Sequence, residues 1–483
     1  MDAEMYAAKY CKDRAGGSWS TSVDTEISTR HRRSWQRWPY LLLLLIMGVY
    51  WKQSLWLLAT VASPVYSKNS SEIDIYKHFG NLSPYFVPEN TPSSLLSGTP
   101  PGCVVDKGFL VHRHGSRQPL SDEVGAILNL SYYINNNTDL FSKPKTALPA
   151  EYAFLTGGWN STFTINDLSA PGRQQLFDHG VAMKLKYPEL YTDTLLIGKQ
   201  DRVIESAQWF ADAYYGRNVN STAKLDFINE DNTTISWVTP MDVCDAWEYS
   251  DGGDLVSEWG RVYLPPIAAR INKVLGSAYP SVNFTAANVH GMFYACVYGT
   301  AVNGIGSSPW CPVFLPEEIL QNEYEYDLLM RGAFGYGLPD NMGQVIGSLL
   351  VSNVTSFFEQ ATGPNLSLNF GHDTTIDLGL TALGLAYDAE YPADGPVNAT
   401  RNWRTATQVP FAAQMFWQKL TCDGESRLQL LLNEANFDLG PTGCCSDEYG
   451  TCSFDDFKSS DVVQAALNVT YGDQRWDSAC STA

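Results

Sequence analysis

The chain has 483 residues, with 32 Lys and Arg against 52 Asp and Glu, a formal net charge of −20 at pH 7. That surplus argues against a nucleic-acid partner, and a hydrophobic share of 44% places the chain among globular proteins able to bury a large core. Length alone suggests two or three domains, although larger single units built by insertion are common, and one main core carrying an insert is the expectation.

Residues 1–37 form a polar arm that ends in Arg30, Arg32, Arg33 and Arg37, and unbroken apolar runs follow at Leu41–Trp51 and Leu55–Ala62. A basic flank ahead of an apolar stretch marks an export signal with its basic side in the cytosol. Residues 38–62 therefore read as either a signal anchor in the membrane or a cleaved signal peptide. Lys52 speaks against a spanning helix, and the long basic arm speaks against cleavage. On either reading everything after Ser63 is expected outside the cytosol, secreted, on the cell surface or in the lumen of the secretory pathway. Two counts agree with this. Sequons for N-linked glycans occur at Asn69, Asn81, Asn129, Asn136, Asn160, Asn220, Asn232, Asn283, Asn353, Asn365, Asn398 and Asn468. Nine of the ten cysteines follow the apolar segment without any C-x-x-C pair, which suits disulfides in an oxidising compartment rather than zinc. Nine is odd, so one thiol, a member of the Cys444-Cys445 pair, is expected to lack an intrachain partner.

Residues 63–102 read as an extended arm leading into the core. Three strand-turn-helix units follow. Val104–Val111 predicts a strand, then the turn "HRHGSRQPL", then a helix opened by Ser121. Thr194–Ile197 predicts a second strand, and Ile204, Ala207, Ala211 and Tyr214 share one face of the helix after it. "LSLNFGHDTTIDLGLTALGL" repeats the plan near residue 370. Strands alternating with helices predict an α/β sheet with helices on both faces, and ligands gather beyond the carboxyl ends of its strands, where all three polar turns sit. Residues 103–225 and 345–483 are expected to form this domain. Residues 226–344, rich in aromatics, Gly and Pro without strand alternation, are expected to form the insert. Phe411–Leu420 and Arg427–Leu432 predict a late hairpin.

The chemistry sits in the turns. Arg113, Arg117 and Arg202 would supply three guanidinium forks, whose geometry matches phosphate oxygens two at a time. The rival reading of each is a surface ion pair, Arg202 with Asp201 or Glu205 for example. His114 is the candidate nucleophile, since a neutral imidazole nitrogen can attack phosphorus; Gly115 beside it would let the backbone approach the anion. His112 adds a His-x-His pattern that could hold a metal, but no third ligand is evident nearby. His372 and Asp373 form the other half: a carboxylic acid can protonate the departing oxygen, although Asp373 could equally be a helix N-cap.

"RHGSRQP" fits the pattern R-H-G-x-R-x-P, and with "DRVIESA", "GHDTT" and "LSAPGRQQLFDHG" the chain resembles the histidine acid phosphatases, the branch of the histidine phosphatase superfamily that includes fungal phytases. The resemblance runs from about Tyr76 to Cys480. It implies a phosphoglycerate-mutase-like α/β sheet domain with a smaller, mainly helical domain. It also implies His114 as the phosphorylated nucleophile, Arg113, Arg117, Arg202 and His372 as phosphate ligands, and Asp373 as proton donor, with no metal or other cofactor. The disulfides it implies are Cys103–Cys422, Cys244–Cys480, Cys296–Cys311 and Cys444–Cys452. His372-Asp373-Thr374 stands where multiple inositol polyphosphate phosphatases have His-Ala-Glu, which favours the phytase and acid phosphatase side. The implied activity is hydrolysis of small anionic phosphate esters, phytate first, with a broad acid phosphatase as the alternative. A mutase-type phosphotransferase and an inactive surface-binding homologue are more distant alternatives. Lys143, Lys145 and Arg173 are the candidates for holding the further phosphates of phytate.

Overall fold

A computed structural model of the chain describes residues 73–389 and 391–482. The basic arm, the apolar segment 38–62 and Asn69 lie outside the described residues. Within them, no helix is long and apolar enough to cross a membrane.

The apolar, β-branched run before the histidine turn forms β1 (Cys103–Arg113), the centre of a mixed sheet. The other strands are β2 (Thr194–Gly198), β3 (Lys224–Ile228), β4 (Leu366–Gly371), β5 (Gln414–Cys422), β6 (Glu425–Leu432), β7 (Ala435–Phe437) and the short β8 (Cys452–Ser453). Their order is β3-β2-β4-β1-β5-β6-β7, with β8 paired to β6. β1, β2, β3 and β4 run parallel, and β5 and β6, the expected hairpin, close the far side antiparallel. Register places Arg113 opposite Gly371 and Ile197 opposite Phe370, so the turns after β1, β2 and β4 open at one edge.

The helices of ten residues or more are α1 (Ser121–Asn136), α2 (Ala170–Lys186), α3 (Asp201–Tyr215), α4 (Ser250–Leu275), α5 (Ala286–Asn303), α6 (Pro316–Phe334), α7 (Met342–Glu359) and α8 (Asp373–Ala382). Alternation along β1 sends Leu110 to one face, where it meets Leu176, Val203 and Phe210 of α2 and α3. Phe109 and Val111 go to the other face, into the core that holds Leu350 and Val354 of α7 and Ile376 and Leu380 of α8. Both faces are covered, as the strand-helix alternation requires.

Three of these helices, α4, α5 and α6, fall within residues 226–344, where α4 packs on both of the others, and α1 leans on α5 where a Cβ on Gly291 would press on the Ala126 carbonyl oxygen at 2.6 Å. β3 straddles residue 226, where the insert was expected to start. It is a short edge strand, mostly exposed, whose sequence KLDFI carries no buried face to betray it. Residues Asp74–Ala483 cluster as one compact unit.

Four disulfides join Cys103 to Cys422, Cys244 to Cys480, Cys296 to Cys311 and Cys444 to Cys452, the pairs implied by the resemblance. One expectation is corrected: Cys445 is disulfide-bonded as well, and no described cysteine is free.

Candidate active site

β1 ends at Arg113 and delivers His114 to the sheet edge, where its N–H donates to the Gly371 carbonyl at the end of β4. The imidazole is buried, with Nδ1 2.9 Å from its neighbour's carbonyl at Gly115. Nδ1–H donating there leaves Nε2 with its lone pair free. Burial, then the nearby Arg202, Arg113, His372 and Arg117 charges, push the His114 pKa well below its usual value. A neutral imidazole with an unprotonated Nε2 is the form that can attack an electrophile.

The turn after it is held from α2. The Ser116 N–H donates to Gln175 Oε1 at 2.9 Å, Ser169 Oγ donates to the Ser116 carbonyl at 2.8 Å, and the Gly115 N–H donates to Ser206 Oγ of α3 at 3.1 Å. A Cβ on Gly172 would overlap the Ser116 carbonyl, and one on Gly115 would lie 2.5 Å from the Gly172 oxygen. Glycine at 115 thus serves the close approach of α2.

Around His114 stand the expected cations. Phe411 forms a shared floor, its ring centre 4.7 Å from the Arg113 guanidinium carbon, 5.8 Å from that of Arg117 and 6.2 Å from the His114 ring centre. Arg113 is fully buried; its Nη1 donates to the Asn81 and Val409 carbonyls, and its Nη2 lies 2.8 Å from Asp373 Oδ2. Arg117 reaches Tyr298 Oη at 3.1 Å and Glu123 at 3.2 Å, and Arg202 donates to Asn166 Oδ1 at 2.7 Å, not to Asp201 or Glu205. Burial and the neighbouring Arg117 pull the Arg202 pKa down to about 10. The Nε atoms of Arg113, Arg117 and Arg202 are all buried without a hydrogen-bond partner among the described residues. Like charges held this close, with donors unmet, make a place that an anion would complete.

His372 faces His114 with ring centres 5.7 Å apart. It occupies the N-cap position of α8, and Asp373 is the first helical residue, so the capping role considered for Asp373 falls to its neighbour. Burial pushes the Asp373 carboxyl up, but Arg113, the Asn81 amide and His372 outweigh this and hold it below the usual carboxylate range.

Two residues that sequence reasoning missed complete the site. Asn81, in a 3-10 turn of the supposed lead-in arm, donates Nδ2–H to Asp373 Oδ2 at 2.8 Å and is itself buried. Its sequon marked it as a surface position. Glu230, just beyond β3, places both carboxylate oxygens 3.0 Å from His372 Nε2. No local signal marks Glu230, because its partner is 142 positions away. His112, the other half of the His-x-His pattern, turns instead to His179 of α2, Nε2 to Nδ1 at 3.0 Å, and stacks on Phe370. Among the described residues no group of His, Cys, Asp or Glu is arranged to hold a metal ion.

Comparison with known proteins decides the family. The sequence pattern of the histidine phosphatase superfamily (branch 2) matches residues 105–433. The chain belongs to branch 2 of the histidine phosphatase superfamily. Like its histidine acid phosphatase and phytase relatives, it is a phosphoric monoester hydrolase. The thiamine-repressible acid phosphatase pho4 of Schizosaccharomyces pombe is 29% identical over 85% of this chain and 93% of its own. The phytase PHO112 of Candida albicans is 25% identical over 83% of this chain and 88% of its own. The crystal structure of the phytase from D. castellii superposes with a TM-score of 0.72 at 23% identity, covering 88% of this chain and 91% of that one. This histidine phosphatase therefore shares the phytase fold, and its relatives include acid phosphatases and phytases alike.

Proposed function

We propose that the chain is an exported acid phosphomonoesterase that works through a phosphohistidine and is phytase-like, releasing phosphate from inositol hexakisphosphate. The observation that carries the mechanism is the neutral His114, its Nδ1–H tied to Gly115, at the centre of Arg113, Arg117, Arg202 and His372. Nε2 bonds to phosphorus while the P–O bond to the leaving group breaks, and the guanidinium groups and His372 stabilise the charge on the transferred oxygens. Asp373 gives its proton to the leaving oxygen and then takes one from the water that cleaves the N–P bond. Export is supported by the disulfides and by the sequons: of the eleven described, nine are exposed and Asn365 is half-buried, while Asn81 is the buried exception. Rapid quenching with a labelled phosphate ester checks the mechanism. Label is expected on histidine and absent from His114→Ala, with activity that survives a chelator; label on serine or aspartate would refute it.

One observation favours a second reading, a broad acid phosphatase. The cations considered for extra phosphates do not converge: Arg173 is paired with Glu205 at 2.6 Å, and Lys143 and Lys145 are exposed beyond α1. The wall beside Arg117 is phenolic and acidic, formed by Tyr298 and Glu123. Measuring kcat/KM for phytate and for glycerophosphate separates the two. A ratio above one supports the phytase-like reading, and a ratio well below one the broad phosphatase.

A further inference from the structure

The ring of His372 meets that of His114 edge-on, 5.7 Å between centres, and both oxygens of Glu230 lie 3.0 Å from its Nε2. A carboxylate only accepts, so Nε2 carries a hydrogen. Nδ1 has no hydrogen-bond partner among the described residues, which leaves it as the ring nitrogen open to a ligand. The fold makes room for this contact. Glu230 follows β3, whose Ile228 carbonyl accepts from the Lys199 N–H just past β2 at 3.0 Å. A Cβ on Gly198, the last residue of β2, would overlap Glu230 Oε1. Further along, Thr375 Oγ1 of α8 ties the segment down by donating to the Val238 carbonyl at 2.5 Å. The Glu230 side chain is only 2% exposed, and among the described residues His372 is its only hydrogen-bond partner. A carboxylate so enclosed is costly unless its partner is charged.

We propose that Glu230 is a positioning residue for His372: it anchors Nε2–H and, by its charge, keeps on the ring the second proton with which Nδ1 donates to a phosphate oxygen. The inference rests on His372 as a phosphate ligand, the reading given above. Arg113, Arg117 and Arg202 already act on His114 beside this ring, and their like charge opposes a further cation there. Glu230 offsets them. A neutral ring with its hydrogen on Nε2 would turn the Nδ1 lone pair towards anionic oxygens. The imidazolium donates instead, and such charge-assisted bonds are about twice as strong as neutral ones. The other charged groups around the pair are His114 after β1, Asp373 on α8, Arg202 on α3 and Asp242 in the turn Pro240–Val243. Among the described residues none of these four hydrogen-bonds to the His372 ring.

Inorganic phosphate is the probe, as a competitive inhibitor of p-nitrophenyl phosphate hydrolysis from acid to neutral pH. Glu230→Gln keeps the shape and removes the charge. Deleting a negative charge beside an anion site should by Coulomb's law alone tighten phosphate binding. Acting through His372, it is expected to weaken it, raising the inhibition constant about tenfold near neutrality. That deficit should shrink towards one in acid, where solvent restores the second proton. In a His372→Ala background, Glu230→Gln should cause no further loss. Gly198→Ala, which displaces the carboxylate without altering it, should reproduce the weakening, and it carries the test if Glu230→Gln does not fold. Tighter binding, a loss equal at every pH, or losses that multiply in the double variant would each overturn the role of Glu230. His372→Ala separates the two levels of failure. If it binds phosphate like the wild type, His372 is no phosphate ligand and the inference falls with that reading. If it binds weakly while Glu230→Gln matches the wild type, the role of Glu230 alone is wrong.

Discussion

Asp373 carries the most specific demand at the scale of single residues. As a donor it must hold a proton, yet Arg113 and Asn81 draw its pKa below the ordinary carboxylate value. The sign follows directly: the donor form is present at low pH and is lost as pH rises, so turnover is expected to be fastest in acid, and a rate maximum above pH 8 would contradict the assignment. Asp373→Asn should slow esters with poor leaving groups by about 10²–10⁴, the usual worth of a positioned acid, and p-nitrophenyl phosphate far less. A Brønsted plot of rate against leaving-group pKa reads this out, with a steeper slope in the variant. If both slopes agree, Asp373 donates no proton in the rate-limiting step.

Between β1 and α2, the contact of interest is the buried pair His112 and His179. His112 donates Nδ1–H to the Arg113 carbonyl at 2.7 Å, its Nε2 lies 3.0 Å from His179 Nδ1, and Gln414 Nε2 approaches that same His179 nitrogen at 3.0 Å. Burial draws the His112 pKa down to about 4, against an unfolded value near 6.5. A base with a depressed folded pKa stabilises fully above the unfolded value, and that contribution is lost as pH falls from about 6.5 towards 4. The difference is worth on the order of 3 kcal/mol. Urea unfolding at pH 7, 5.5 and 4.5 should show stability falling over that interval, and His112→Gln should flatten the slope. An unchanged slope would mean that other groups set the acid limit. What the sequence made legible at this scale was local. The β1 turn, the β5–β6 hairpin and the α3 face all follow from period and turn chemistry within a dozen residues. The pairing of α2 with the turn after β1 was not legible, because Ser169, Gly172 and Gln175 act on Ser116 across more than fifty positions. Asn81 and Glu230 were hidden for the same reason, and β3 because an exposed edge strand has no apolar alternation to read.

Across the whole molecule, two disulfides close very long loops. Cys103–Cys422 spans 319 residues and Cys244–Cys480 spans 236. Removing either by Cys→Ala substitution is expected to cost about 2–5 kcal/mol, through the entropy returned to the unfolded chain. Chemical denaturation of each variant measures this, and a change within about 0.5 kcal/mol would show that the native contacts, not the links, set the stability. The burial of Asn81 has a further consequence, for biosynthesis. Its side chain meets Asp373, which is made 292 residues later, so throughout that interval the sequon is uncovered. A sugar transferred to the growing chain would fill the space that Asp373 and Arg113 occupy, and on the proposed mechanism that molecule would never turn over. In a glycosylating host, the specific activity of a preparation would then measure a race between oligosaccharide transfer and chain folding, with the losers counted as protein but not as enzyme.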